Sequence, residues 1–239
     1  MPATDAEITG VLDIAVAPTP PPARLPACRF RFPDPAGADP EGLIAQGGDL
    51  EPGTIVAAYR LGIFPWPYDD SAILWWSPDP RAILPLDALH VSHSLTRTLR
   101  RAGFRVTLNA AFPAVIDGCA ARDETWITPA MRAAYVRLHG LGWAHSVEVW
   151  GADGTLAGGL YGVAVGGLFA AESMFHRATD ASKVAVVALV RHARRVGTTL
   201  VDVQVPSDHL TTLGARPIPR EEYLARLAIA VRRPVAFVG

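Results

Sequence analysis

From Ser146 onward the chain reads as three alternating segments, a helix, and one more alternating segment. Few folds accept that order. Residues 146–150, 156–165 and 167–175 carry the period of two that a strand requires, and the turns at Asp153-Gly154 and Gly166-Gly167 join them as an antiparallel meander. Asp180 stands where a helix cap is expected, the helix runs to about Val196, and Gly197 stops it. Residues 200–205 then form a strand predicted to lie parallel to the one before the helix. The fold class that follows is α+β.

Two of these strands carry polar residues in apolar rows. Val201, Val203 and Val205 share one face, which leaves Asp202 and Gln204 on the other. Glu172 interrupts a row made by Ala170 and Met174. A buried carboxylate is costly unless it is paired or put to use. Two such intrusions flanking one helix point to a site built on the sheet.

With 239 residues, half of them hydrophobic, and a mean hydropathy of +0.21, the chain can bury a substantial core. No apolar run approaches the ~18 residues of a membrane span. Residues 1–27 lack a continuous apolar stretch, hold Pro18-Thr19-Pro20-Pro21-Pro22, and read as a disordered or loosely packed tail rather than a signal peptide. Residues 28–79 are rich in turn formers and aromatics and are expected to make a small N-terminal domain. Pro78-Asp79-Pro80 is the expected boundary, with the α+β domain filling 80–239. Cys28 and Cys119 match neither a metal motif nor a disulfide framework, which favours a reducing, cytoplasmic setting. The net charge of −1 confines any nucleic-acid contact to a local patch. Lys183 is the one lysine beside 21 arginines, either because an ammonium is needed there or by chance.

Several motifs lead nowhere. Gly158-Gly159-Leu160-Tyr161-Gly162 has no following Lys-Ser or Lys-Thr and sits inside strands, so hairpin glycines are the better reading than a phosphate loop. The seven histidines lack zinc-ligand spacing, and no metal is expected. Ser173 is not in a nucleophile elbow. The order meander, helix, strand is shared with acetyl-CoA acetyltransferases, yet the junction His176-Arg177-Ala178-Thr179-Asp180 has no glycine to cradle a pyrophosphate. Arg97, Arg100, Arg101 and Arg105 read either as a solvated helix face or as a track for phosphates. Trp66, between two prolines, is placed to stack on a base.

Taken in order, these blocks resemble the leucyl/phenylalanyl-tRNA–protein transferases over roughly residues 30–228. The matching segments include Gly47-Gly48-Asp49-Leu50, Gly62-Ile63-Phe64-Pro65-Trp66, Trp75-Trp76-Ser77-Pro78-Asp79-Pro80-Arg81, Thr125-Trp126-Ile127, His145-Ser146-Val147-Glu148-Val149-Trp150, Glu172-Ser173-Met174-Phe175, Ala181-Ser182-Lys183 and Asp202-Val203-Gln204. Ala171 stands where the family usually has Gly, His176 where it has Ser, and His93 where Arg is common.

The resemblance implies a small N-terminal domain and an acyltransferase-like (GNAT) domain that uses no cofactor. It implies transfer of Leu or Phe, and Met less well, from aminoacyl-tRNA to proteins whose N-terminal residue is Arg or Lys, marking them for degradation. A monomer with no membrane association is expected. By carry-over, Asp202 orients Gln204, which assists the attacking amine, and Glu172 holds the cationic acceptor. Leu160, Phe169, Met174, Leu189 and Val201 line the donor side-chain pocket. Tyr59, Trp66 and Trp126 face the terminal adenosine, and Arg97, Arg100, Arg101 and Arg105 meet tRNA phosphates. The rival readings are a tRNA-binding module without catalysis and a peptidoglycan-type aminoacyltransferase. Asp202→Asn is expected to keep the fold, because the side chains are nearly isosteric.

Overall fold

The computed structural model describes residues 12–67 and 71–238. The first part builds β1 (Ile14–Val16), β2 (Leu43–Gln46), α1 (Pro52–Arg60), β3 (Phe64–Pro65), β4 (Leu74–Trp76) and β5 (Arg81–Ile83). Next come α2 (His93–Arg101), β6 (Arg105–Leu108), α3 (Phe112–Ala120) and α4 (Pro129–Gly140). Strands β7 (Ala144–Trp150), β8 (Leu156–Val165) and β9 (Leu168–His176) follow, then α5 (Ala181–Val196) and β10 (Leu200–Gln204). The chain closes with α6 (Asp208–Thr211), β11 (Arg216–Ile218) and α7 (Arg220–Ala230).

Eight strands form one sheet in the order β1-β6-β7-β8-β9-β10-β5-β11. The pairs β6–β7, β7–β8 and β8–β9 are antiparallel, and β10 lies parallel to β9. One face is covered by α5, whose Val184, Ala185, Ala188 and Leu189 are buried, together with Leu95 and Leu99 of α2. The opposite face is covered by α3, α4 and α1, with Tyr223 and Leu227 of α7. A second, three-stranded sheet, β2-β4-β3, surrounds the buried Trp75, whose Nε1 donates to the Gly47 carbonyl. The architecture is mixed α and β in layers, the arrangement that lets each amphipathic face find a partner.

The glycines of β8 serve close packing rather than hairpins. A Cβ at Gly162 would lie 2.2 Å from the Ala170 carbonyl oxygen on the neighbouring strand. The β8–β9 turn that the sequence leads one to expect is made by Gly166, at φ 57, and Gly167.

Two expectations are corrected. Residues 12–27 are not a loose tail: β1 adds to the edge of the sheet beside β6, and the Trp143 Nε1 donates to the Ala23 carbonyl. Edge pairing uses backbone groups, which leave little trace in side-chain patterning. Residues 1–11 lie outside the described part. Asp180 holds the N-cap position of α5, but its side chain makes no capping hydrogen bond. It adopts φ 64, and its carboxylate accepts from Thr98 Oγ1 at 3.1 Å and Lys183 Nζ at 2.9 Å, tying α2 to the start of α5. The single lysine therefore closes a local ion pair.

Candidate active site

The site begins where two parallel strands stop pairing. β9 and β10 match at Leu168 with Leu200, Phe169 with Val201 and Ala170 with Asp202, and then separate. Each strand carries a bulge just past that point. On β9 the register against β8 skips Glu172, between Ala171 and Ser173. On β10 the register against β5 slips between Asp202 and Gln204. A bulge re-aims a side chain, and here two re-aimed side chains meet. Gln204 takes φ 58, a left-handed conformation that costs a non-glycine residue energy. Its side-chain amide donates to Glu172 Oε1 at 2.9 Å.

The strict alternation expected for this strand therefore ends at Val203. Val201 and Val203 line a cavity of about 270 Å³ in the gap, and Gln204 has turned to the same cavity instead of staying with Asp202. Leu160, Met174, Val186 and Leu189 are part of its apolar wall. Glu172, Ser173 and Ser207 add polar lining, and Phe64, Pro65, Trp66, Trp126 and Arg122 also border it. The Arg122 Nη2 donates to the Met174 carbonyl, which pins the α3–α4 connection to that wall.

Asp202 is sealed away from this space, at 0% exposure. Its Oδ1 accepts from Arg81 Nε at 2.9 Å, and its Oδ2 from Arg81 Nη2 at 2.7 Å and Tyr223 OH at 2.8 Å. Its one bond to Gln204 goes to the backbone: the Gln204 N–H donates to Oδ1 at 2.9 Å. Asp202 thus fixes the bulge, not the amide. Arg81 is equally buried, lies 4.6 Å from the Phe64 ring centroid and 4.5 Å from that of Tyr223, and donates to the Gly62 carbonyl. A two-pronged guanidinium–carboxylate pair is both strong and oriented. Replacing Asp202 by Asn would leave a buried guanidinium without its counter-charge, so the expectation of an unharmed fold does not stand.

Glu172 has a different environment. Tyr135 OH donates to its Oε2 at 3.0 Å, and Tyr135 OH lies 2.6 Å from Tyr59 OH. Both tyrosines are buried. Burial pushes the Glu172 carboxyl up to about 8, with the tyrosine hydrogen bonds acting in the opposite direction. Burial likewise holds both phenols well above the usual tyrosine value.

Leu160, Met174, Leu189 and Val201 are brought together at the cavity, but Phe169 is not. Its ring stacks on Phe237 at 4.6 Å, one layer deeper in the core. Trp66 and Trp126 border the cavity, whereas Tyr59 sits behind Glu172 at 1% exposure. Arg97, Arg100, Arg101 and Arg105 are exposed and stand apart from the cavity lining. The Arg105 guanidinium lies 5.2 Å from the Trp150 ring centroid. Arg81, Tyr135, Tyr223 and Arg122 carry no role in the sequence reading. The signal available for Arg81 was indirect: a buried Asp202 demands a cation.

Comparison with known proteins bears on the family to which the chain belongs. A family model described as leucyl/phenylalanyl-tRNA protein transferase matches residues 83–228, and the model of that family's N-terminal domain matches residues 48–79. A leucyl/phenylalanyl-tRNA–protein transferase from Anaeromyxobacter sp. (strain K) is 58% identical over 208 residues, 85% of this chain and 89% of that protein. One from Stutzerimonas stutzeri (strain A1501) is 54% identical over 202 residues, 83% of this chain and 89% of that protein. Among solved structures, a GCN5-related N-acetyltransferase from Kribbella flavida shares 16% identity over 70% of this chain and 60% of that chain, with a TM-score of 0.39, too low to carry an argument. Family models spanning most of the chain and relatives more than half identical lead to one conclusion: the chain belongs to the leucyl/phenylalanyl-tRNA–protein transferase family.

Proposed function

We propose that the protein moves Leu or Phe, and Met less well, from aminoacyl-tRNA to the α-amine of proteins that begin with Arg or Lys, marking them for degradation. Aminoacyl transfer from tRNA to protein is the activity of its family. The observation that carries the finer reading is an apolar cavity of about 270 Å³ with the Glu172–Gln204 pair in its lining. Such a space suits a donor side chain that is unbranched at Cβ, and the polar pair suits a reacting amine.

The chemistry is aminolysis of an ester that is already activated, so positioning does most of the work and no cofactor is required. Leu160, Met174, Leu189 and Val201 hold the donor side chain. Trp66 and Trp126 stack on the terminal adenosine, and the exposed Arg97, Arg100, Arg101 and Arg105 meet phosphates. Gln204, with its amide nitrogen given to Glu172, keeps its carbonyl oxygen for a substrate N–H. Glu172 faces the positive charge of the acceptor. The reaction runs in the cytoplasm, where charged tRNA is found, and needs one copy of the chain.

The test is incubation with labelled Leu-tRNA and a peptide beginning with Arg. Label is expected in that peptide and not in one beginning with Ala. Unlabelled Arg peptide alongside intact Leu-tRNA overturns the reading.

A further inference from the structure

We infer that Glu172 takes the proton from the attacking α-amine, and that Tyr135, braced by Tyr59, is a positioning residue that holds the carboxylate for that step. This rests on the transferase reading above and deepens it.

Among the polar residues lining the cavity are Glu172, Gln204, Ser173, Ser207 and Arg122. An amide and a guanidinium do not accept a proton near neutral pH, and a serine hydroxyl is a poor base unless a second base serves it. Asp202 has the right chemistry and the wrong address: it is wholly buried, and four N–H or O–H groups already point at its two oxygens. Glu172 is the carboxylate in that lining. Gln204 donates to its Oε1 and Tyr135 to its Oε2, with the Tyr59 hydroxyl beside them, and a carboxylate with about four lone-pair sites still has room to accept a proton. Tyr135 is itself held by Tyr59 at 2.6 Å, so the carboxylate is fixed by a chain reaching back to α1.

Its proton affinity suits the task. A general base works best when its pKa lies near that of its partner and near the working pH. Burial brings Glu172 to about 8, and a peptide α-amine titrates at about 7.7–8.0. The groups facing Glu172 are Tyr59 of α1, Arg81 of β5, Tyr135 of α4, Tyr161 of β8, Asp202 of β10 and Tyr223 of α7. Of these Arg81 favours the ionised carboxylate and Asp202 opposes it.

The step balances. The acceptor attacks as its neutral amine. Its nitrogen lone pair forms the bond to the ester carbonyl carbon while Glu172 takes one of its two protons, and the carbon–oxygen bond to the ribose breaks. The leaving ribose oxygen takes that proton from Glu172, which is a carboxylate again, and the nitrogen keeps the other proton as the amide N–H.

The experiment is single-turnover transfer from saturating Leu-tRNA across a pH series. Two acceptors are compared: an Arg-starting peptide, and its analogue with an aminooxy group in place of the α-amine, which is neutral throughout. With the parent protein and the analogue, an acidic limb near pH 8 is expected to persist. Glu172→Gln is expected to abolish that limb and slow transfer by ~10²-fold or more. Tyr135→Phe removes one hydrogen bond to the carboxylate and is expected to move the limb up by about one pH unit, with tRNA affinity unchanged. If Glu172→Gln transfers at the parent rate, or Tyr135→Phe slows transfer without moving the limb, the inference is wrong. A parent protein that transfers to neither acceptor overturns the function itself, a separate outcome.

Discussion

The Gln204 amide and the Glu172 carboxylate meet at 2.9 Å across the gap where β9 and β10 stop pairing. The contact exists because both strands bulge at that point, and it binds the two edges of the opening together. Gln204→Glu would set two carboxylates against each other at hydrogen-bond distance, and they cannot both ionise. Transfer by Gln204→Glu is expected to fall as pH rises from about 6 to about 9, where the parent speeds up. A pH–rate profile parallel to that of the parent counts against this pairing.

Asp202→Asn is expected to lose about 3–5 kcal/mol of stability, the usual cost of stranding one member of a buried ion pair. Arg81 would keep its charge and lose the carboxylate it pairs with. Urea denaturation checks this, read as a lower midpoint at an unchanged slope. A midpoint equal to that of the parent means that Arg81 finds another partner.

Stability should depend on pH through Glu172. Its carboxyl titrates at about 8 in the folded protein and at about 4.3 in an unfolded chain. Between those values the folded state holds more protons, so stability falls as pH rises. Glu172→Gln removes that loss. The melting temperature of Glu172→Gln, relative to the parent, should climb between about pH 5 and about pH 9. A constant difference across that window sinks the assignment.

Donor choice should follow the residues that line the cavity rather than those one layer deeper. Leu189→Phe narrows the space and is expected to reduce transfer of Phe relative to Leu by roughly 10-fold or more, within the 1–3 kcal/mol that a crowded apolar pocket commands. Phe169→Leu lies behind the wall against Phe237 and should leave that ratio unchanged. Competition between Phe-tRNA and Leu-tRNA reads both. Equal effects of the two variants would return Phe169 to the pocket.

Arg97, Arg100 and Arg101 are exposed on α2 and make no ion pair among the described residues. If one of them meets a tRNA phosphate, its removal lowers the log–log salt slope of binding by roughly 0.7–0.9. Arg100→Ala and Arg101→Ala should each show that decrement in filter binding. Unchanged slopes make the face merely solvated.

The sequence by itself determined the order of elements near the site. Alternation over 146–150, 156–165 and 167–175, the stop at Gly197 and a strand read over 200–205, observed over Leu200–Gln204, depend on local propensity and on period, which neighbouring residues carry. The same local reading picked out Glu172, Asp202 and Gln204 as polar intrusions, and Trp66 as an exposed ring. Tertiary structure alone decided what those residues do to one another. Arg81 meets Asp202 from 121 positions away, and Tyr135 reaches Glu172 across 37. Neither spacing leaves a periodic trace. The bulges matter most. A strand read by its period of two puts Asp202 and Gln204 on one face, and a single slipped residue at Val203 sends them to opposite destinations, one into a sealed ion pair and the other into the cavity. That slip is held by an ion pair and a backbone hydrogen bond that form only once the sheet is assembled, so no stretch of sequence encodes it locally.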